Sequence, residues 1–228
     1  MKNFLIQQRM WLWPIVLMLL ITPFTPTLDL AITRYFYQGN GEFSRSGLFH
    51  FMYDYGVVPA QIIAGGATLL LFFSLFTKKL QPTRRIALVL ALSLTIGSGV
   101  ICHFILKDHW GRPRPKQVVE FGGIQPFRPY YEPNLFHQPQ PSKSFPCGHC
   151  TMGFYFFSVA LIGRKLNNRS LYRAGLLFAL FLGGLLSLTR IAQGGHFLSD
   201  TLMSALIMWL TSYFCVEWIM KDTHERID

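Results

Sequence analysis

Two histidines and an aspartate have the spacing expected of residues that transfer a chemical group. His196 and Asp200 are four residues apart, so on a helix they share one face. An aspartate so placed can bind one imidazole nitrogen and leave the other as an attacking lone pair. His149 follows Gly148 at a predicted helix start and can donate a proton near neutral pH. A purely structural His/Asp pair is the alternative for these residues.

Basic residues near the same helix ends indicate an anionic ligand. Arg114 and Arg190 carry planar guanidinium groups that can grip two phosphate oxygens, and Lys107 adds a compact charge. Gly148 would let backbone amides approach the anion at a helix start. Taken singly, each basic residue could be an interfacial anchor. Clustered on the outer face, where positive charge is usually avoided, they predict bound phosphate.

Composition indicates that these residues are positioned by a membrane-embedded bundle. The chain of 228 residues is 51% hydrophobic and only 14% charged, whereas soluble domains are about 25% charged. Its net charge of +10 comes from short basic groups between apolar runs, a pattern that does not favour nucleic-acid binding. No separate soluble part is evident. The sequence therefore predicts a single domain over residues 1–228, with the bilayer as its surroundings.

Six apolar segments approach the roughly 20 residues that a helix needs to cross a bilayer. They are residues 10–28, 56–76, 86–106, 149–163, 174–189 and 197–220. The fourth is the weakest, because it can span only if Arg164 and Lys165 extend from its end toward the membrane surface. We therefore predict an all-α fold, a six-transmembrane-helix bundle.

The distribution of basic residues predicts the orientation of this bundle. Twelve of the 21 fall on one side when six spans alternate: Lys2, Arg9, Lys78, Lys79, Arg84, Arg85, Arg164, Lys165, Arg169, Arg173, Lys221 and Arg226. Because cytoplasmic loops are enriched in Lys and Arg, both termini are expected in the cytoplasm. The candidate site then faces the periplasm from the inner membrane. A long outer loop, about residues 107–148, forms either a substrate-selecting rim or a solvated linker.

Three segments together resemble the signature of the type-2 phosphatidic acid phosphatase superfamily. They are Lys107-x6-Arg114-Pro115, Pro146-x-Gly148-His149 and Arg190-x5-His196-x3-Asp200. They occur in the order of the family and near the matching span ends. The resemblance implies a metal-independent phosphatase that needs no cofactor and forms a phosphohistidine intermediate on a lipid phosphate.

The resemblance also implies a role for each residue of the motifs. His196 would attack phosphorus, Asp200 would orient it, and His149 would protonate the leaving oxygen. The phosphoryl oxygens would be held by Lys107, Arg114, Arg190, the Gly148 amide and the residue at Cys147. Two positions depart from the family pattern, which has serine in place of Cys147 and Thr189. A thiol is a weaker donor than a hydroxyl, so the contact from Cys147 is the least secure.

Within the superfamily, residues 107–115 and 193–197 look most similar to lipid A 4′-phosphatases. Undecaprenyl pyrophosphate and phosphatidylglycerophosphate phosphatases share the signature and are the alternative substrate classes. Two other classes of function are also considered. Cys147 and Cys150 form a C-x-x-C pair that could serve a membrane thiol-disulfide oxidoreductase. A transporter would account for six spans without catalysis, although no matching pair of broken helices is evident.

Overall fold

The computed structural model describes residues 2–136 and 142–221, with side chains from residue 10 onward. Arg226 and residues 137–141 of the outer loop lie outside the described residues. The helices in these ranges are α1 (Lys2–Ile21), α2 (Thr25–Phe36), α3 (Gly47–Tyr55), α4 (Val58–Ser74), α5 (Arg84–Leu94), α6 (Gly148–Phe154), α7 (Phe157–Lys165), α8 (Arg169–Ala192) and α9 (Leu198–Ile219). A π-helical segment, Thr95–Lys107, continues α5. A small antiparallel hairpin pairs β1 (Tyr37–Gly39) with β2 (Glu42–Phe43).

Short 3₁₀ turns complete the regular structure. They are Thr22–Phe24, Lys78–Thr83, Pro115–Gln117 and Val119–Phe121. The first joins α1 to α2 within one helical segment, Met10–Phe36, and proline occupies an early position of the turn, where its missing N–H is tolerated. The last two give the outer loop local structure.

Five helical segments of the described chain are long and apolar enough to cross a membrane. They are Met10–Phe36, Gly47–Ser74, Lys78–Lys107, Arg169–Ala192 and Leu198–Ile219. Large apolar side chains such as Leu20, Phe72 and Phe181 are exposed on their outer surfaces, as lipid contact requires. The prediction of a mostly helical integral membrane protein is confirmed.

The fourth predicted segment, residues 149–163, is not among these five. The chain there forms α6 and α7, of seven and nine residues, separated at Tyr155 and Phe156. Most of their side chains are buried inside the bundle rather than turned toward lipid. A segment surrounded by protein needs neither a continuous helix nor a uniformly apolar sequence, which is why its span signal is weak.

Helix α6 approaches α8 very closely, and two glycines make this contact possible. A Cβ atom added at Gly153 would lie 2.5 Å from the Cα of Gly183. A Cβ at Gly183 would lie 2.4 Å from Cδ1 of Phe154. Small residues allow helix backbones to pack closely in membranes. The contact fixes α6, and with it His149, against the helix that carries Arg190.

The outer loop packs on the ends of the helices instead of extending into solvent. Val118 and Phe121 are completely buried and cluster with Phe43 and Phe197. Trp110 donates a hydrogen bond from Nε1 to the carbonyl oxygen of Tyr130 at 2.7 Å. Residues 110–130 of the loop therefore form a packed layer, in contrast to the solvated linker that the sequence left open, whereas residues 131–136 are mostly exposed.

Replacement of Gly183 by alanine tests the close contact between α6 and α8. The new methyl group must displace the Phe154 ring, and such overpacking costs about 1–3 kcal/mol. We expect a lower melting temperature for the purified protein in detergent. Gly184→Ala is the matched control, since a Cβ there meets nothing within 4 Å. Equal melting temperatures for the two variants would contradict the contact.

Candidate active site

Residues from distant parts of the chain meet at one end of the bundle. His149 and His196 each lie within electrostatic range of both Lys107 and Arg190, and His149 is also within range of Arg114. Lys107 ends the π-helical segment, and its Nζ lies 3.5 Å from the carbonyl oxygen of Pro146, just before α6. The structure therefore brings together the residues of all three sequence motifs.

His196 is held in one orientation by a backbone carbonyl. Its Nδ1 lies 2.5 Å from the carbonyl oxygen of Ser144, which can only accept a hydrogen bond. Nδ1 must then carry the proton, and the lone pair resides on Nε2. Burial lowers the pKa of His196 to about 3, although the nearby Asp200 carboxylate favours the charged form. The imidazole is therefore neutral at neutral pH, the state that a nucleophile requires.

Asp200 lies beside His196 but is not its closest partner. Its Oδ2 is 3.6 Å from His196 Nδ1, beyond hydrogen-bond distance. The carboxylate instead accepts hydrogen bonds from Ser144 Oγ (2.6 Å), the Phe197 amide (2.8 Å) and Arg112 (2.5 Å). The expected direct pairing is thus replaced by an indirect one. Asp200 holds Ser144, whose carbonyl oxygen holds the imidazole.

Arg190 presents its guanidinium group at the end of α8. It is 8% exposed and donates from Nη1 to Gln193 Oε1 at 2.8 Å, while its Nε has no hydrogen-bond partner among the described residues. A Cβ atom at Gly195 would lie 2.4 Å from Arg190 Nη2, so glycine is needed for the guanidinium to lie where it does. Arginine donors are thus left available for an anion.

Tyr53 of α3 contacts both a cation and a histidine of the site. The ring of His149 stacks on Tyr53 with centroids 4.5 Å apart and planes 12° apart. The Cζ atom of Arg190 lies 4.7 Å from the centroid of the same ring. An aromatic ring attracts a cation over its face and fixes a stacked imidazole without competing for its protons. Tyr53 therefore sets the spacing of His149 and Arg190.

Cys147 differs from its expected role. It forms a disulfide with Cys150, so its sulfur carries no proton to donate to a phosphate. Its amide donates to Ser204 Oγ at 3.0 Å. Cys147 instead fixes the start of α6, where its sulfur also accepts from the Cys150 amide. Gly148 next to it lies against the His103 ring, because an added Cβ would be 2.5 Å from His103 Nε2.

Sequence reasoning missed two residues that hold the site together, Tyr53 and Ser144. It also missed Asp29, which accepts a hydrogen bond from Arg112, the guanidinium that pairs with Asp200. Tyr53 lies in a helix rich in aromatic residues, where nothing marks it from its neighbours. Ser144 acts partly through its backbone carbonyl, which has no sequence signature. Asp29 did carry a signal, since it is an acidic residue inside a predicted span, and such residues are rare without a partner or a function.

Comparisons with known proteins point to one family. Residues 86–224 match the PAP2 superfamily. A lipid A 4′-phosphatase of Francisella tularensis subsp. novicida is 31% identical over 195 residues, which cover 82% of this chain and 84% of that protein. Lipid A 4′-phosphatases of Rhizobium leguminosarum and Rhizobium etli are 31% and 32% identical over 120 residues, which cover 53% of this chain and 47% and 43% of those proteins. No solved structure matches the chain.

The family match and these relatives show that this helical membrane protein is a phosphatase. The chain belongs to the PAP2 superfamily, the type-2 phosphatidic acid phosphatases.

Tyr53→Ala tests whether the aromatic ring positions the site. Removal of the ring frees both His149 and Arg190, and we expect phosphate release to fall about tenfold, the upper range of a partly buried cation–π contact. Tyr53→Phe keeps the ring face and should retain most activity. Tyr55→Ala, on the same helix but exposed, is the control. If Tyr53→Phe is as damaging as Tyr53→Ala, the hydroxyl and not the ring is responsible.

Proposed function

We propose that the protein removes a phosphate group from a lipid at the periplasmic face of the inner membrane, and that this lipid is lipid A, cleaved at its 4′-phosphate. The observation that carries the proposal is the meeting of His196, His149 and three basic side chains at one end of a membrane bundle. Similarity to the Francisella lipid A 4′-phosphatase over most of both chains supports the substrate.

His196 and His149 divide the reaction into two steps. In the first, the negatively charged phosphate binds beside His149, which takes up a proton. The Nε2 lone pair of His196 then attacks phosphorus, the bond from phosphorus to the sugar oxygen breaks, and His149 gives its proton to that oxygen. In the second, water attacks the phosphohistidine, and His149 takes a proton from the water as the N–P bond breaks. Inorganic phosphate leaves, and both histidines return to their starting protonation states.

Lys107, Arg114 and Arg190 would hold the phosphoryl oxygens through both steps. Charge on these oxygens is stabilised by donors fixed in advance, because little reorganisation is then needed at the transition state. Arg190 suits this role since it is largely buried and its Nε lacks a partner among the described residues. We propose no side-chain contact from Cys147, whereas the Gly148 amide remains part of the proposed set.

The path of the chain supports six crossings, which would leave both termini on one side. The excess of Lys and Arg in the loops of that side favours the cytoplasm. Helix α8 spans from Arg169 to Ala192, and its end lies beside His149, because Arg190 and His149 contact the same ring. The chain from Gly148 must therefore travel through the bundle to reach the start of α8. Eighteen residues of α6 and α7 with their junction would cover about 27 Å as helix, close to the ~30 Å hydrocarbon core.

The buried disulfide argues against the oxidoreductase alternative. Thiol exchange requires a thiolate to reach one sulfur of the bridge. Both Cys147 and Cys150 are completely buried. The C-x-x-C pair therefore serves the structure of α6 in this proposal.

Substitution of the two histidines tests the proposed chemistry. We expect His196→Ala and His149→Ala to abolish phosphate release from lipid A in detergent with a chelator present. Arg190→Ala removes one oxyanion donor and should lower the rate about 10²–10³-fold. His109→Ala is the control, since its side chain is exposed on the same outer region. Loss of wild-type activity in chelator, or full activity of His196→Ala, would contradict the mechanism.

The substrate is tested with the wild-type protein and a panel of lipids. We expect faster release from lipid A than from undecaprenyl pyrophosphate or phosphatidylglycerophosphate. Lipid A that carries only its 1-phosphate should release little. Equal rates on the forms with and without the 4′-phosphate would contradict the proposed position of cleavage.

Reporter fusions test the number of crossings. With six crossings, a reporter that is fluorescent only in the cytoplasm should be bright at either terminus and dark when inserted after Phe136, an exposed residue of the outer loop. Five crossings would place the two termini on opposite sides, and one terminal fusion would then be dark.

A further inference from the structure

A buried charge cluster lies directly behind Asp200. The Arg112 side chain is completely buried and donates from Nη1 to Asp200 Oδ1 at 2.5 Å and from Nη2 to Asp29 Oδ2 at 2.8 Å. Its Nε donates to the carbonyl oxygen of Arg128 at 2.9 Å, and its Cζ lies 4.6 Å from the centroid of the Phe197 ring. One guanidinium group thus joins two carboxylates.

Asp29 also holds the first turn of α9. Its Oδ1 accepts from the Ser199 amide at 2.8 Å, and its Oδ2 accepts from Ser199 Oγ at 2.6 Å. Arg112 Nη1 donates to the same hydroxyl oxygen at 2.8 Å. Because amide and guanidinium nitrogens can only donate here, both oxygens of Asp29 act as acceptors, as in an ionised carboxylate. Asp29 of α2 therefore fixes the turn of α9 that carries Asp200.

Asp29 comes from a part of the chain that the family signature does not include. It lies on α2, whereas the match to the PAP2 superfamily begins at residue 86. It is completely buried within a membrane-spanning segment. An ion pair in such a place is a weak source of stability, since apolar residues of similar volume often serve equally well. The contacts of Asp29 with Arg112 and Ser199 indicate that it serves the reaction and not the stability of the fold.

The charges of the cluster suit the chemistry of His196. Two carboxylates and one guanidinium leave one net negative charge. If Arg112 paired with Asp200 alone, that carboxylate would be neutralised. Because Asp29 shares the guanidinium, the positive charge of Arg112 offsets only part of the negative charge of Asp200. Asp200 Oδ2 lies 3.6 Å from Nδ1 of the His196 imidazole, which becomes positive on phosphorylation.

We propose that Asp29 is a positioning residue for the phosphatase reaction. Through Arg112 and Ser199 it fixes the first turn of α9, and by sharing Arg112 it leaves Asp200 charged enough to stabilise the cationic imidazole of His196. The inference rests on the proposed function, and it adds a residue of the N-terminal helices to the site.

Asp29→Asn is the test, because it removes the charge with little change in size. We expect kcat to fall about tenfold or more with KM within about twofold, the pattern of an interaction that matters in the transition state. Orthovanadate, which bonds to the attacking nitrogen, should inhibit the variant less strongly by a similar factor. Inhibition by inorganic phosphate should be unchanged, because phosphate binding depends on the basic side chains of the site and not on a bond to His196.

Asp54→Asn is the matched control. Asp54 also precedes the family segment, but its side chain is 43% exposed and pairs with His50 on the surface. Its kcat and both inhibition constants should equal those of the wild type. An Asp29→Asn variant with wild-type kcat overturns the inference. An equal weakening of inhibition by vanadate and by phosphate also overturns it, because that result indicates general disruption of the site.

Ser199→Ala is measured as well, so that poor folding of Asp29→Asn does not leave the question open. This change keeps every charge and removes the hydroxyl that links Asp29 to Arg112. We expect a smaller loss, about threefold in kcat with KM retained, and unchanged constants for Ser199→Ala would overturn the inference. A wild-type protein that releases no phosphate contradicts the proposed function itself, whereas active wild type with unaffected variants contradicts this inference alone.

Discussion

A carboxylate that is completely removed from water governs the arrangement of the outer end of this protein. A buried charge is costly unless it is paired and hydrogen-bonded. Asp200 meets that requirement with three partners: Arg112 and Ser144 of the outer loop and the amide of Phe197. These bonds draw the loop onto the helices. The loop can then supply the carbonyl oxygen that orients His196.

Much of the site could be predicted because phosphate chemistry needs residue types that are rare in membranes. Lys107, Arg190, His149 and His196 were found from charge and spacing. The long helices next to Lys107, Arg190 and His196 were found from apolar length, which reports on lipid contact. The two short helices α6 and α7 escaped a clear prediction for the same reason, since they contact protein on nearly all sides. Apolar length carries little information about a segment that lipid does not touch.

The residues that could not be predicted act on other residues and not on the substrate. Tyr53 offers only the face of a ring, and Ser144 offers a carbonyl oxygen that every residue has. The expected bond between Asp200 and His196 failed for a related reason. Spacing on a helix places two side chains near each other, but it does not reveal a third group that lies closer.

The disulfide between Cys147 and Cys150 constrains the biogenesis of the protein. Both sulfurs are completely buried in the finished fold, beneath the contact between the Cys147 amide and Ser204. An oxidising enzyme can reach them only before α6 packs into the bundle. We therefore expect the bridge to form before α6 packs into the bundle, while residues 147–150 are still accessible.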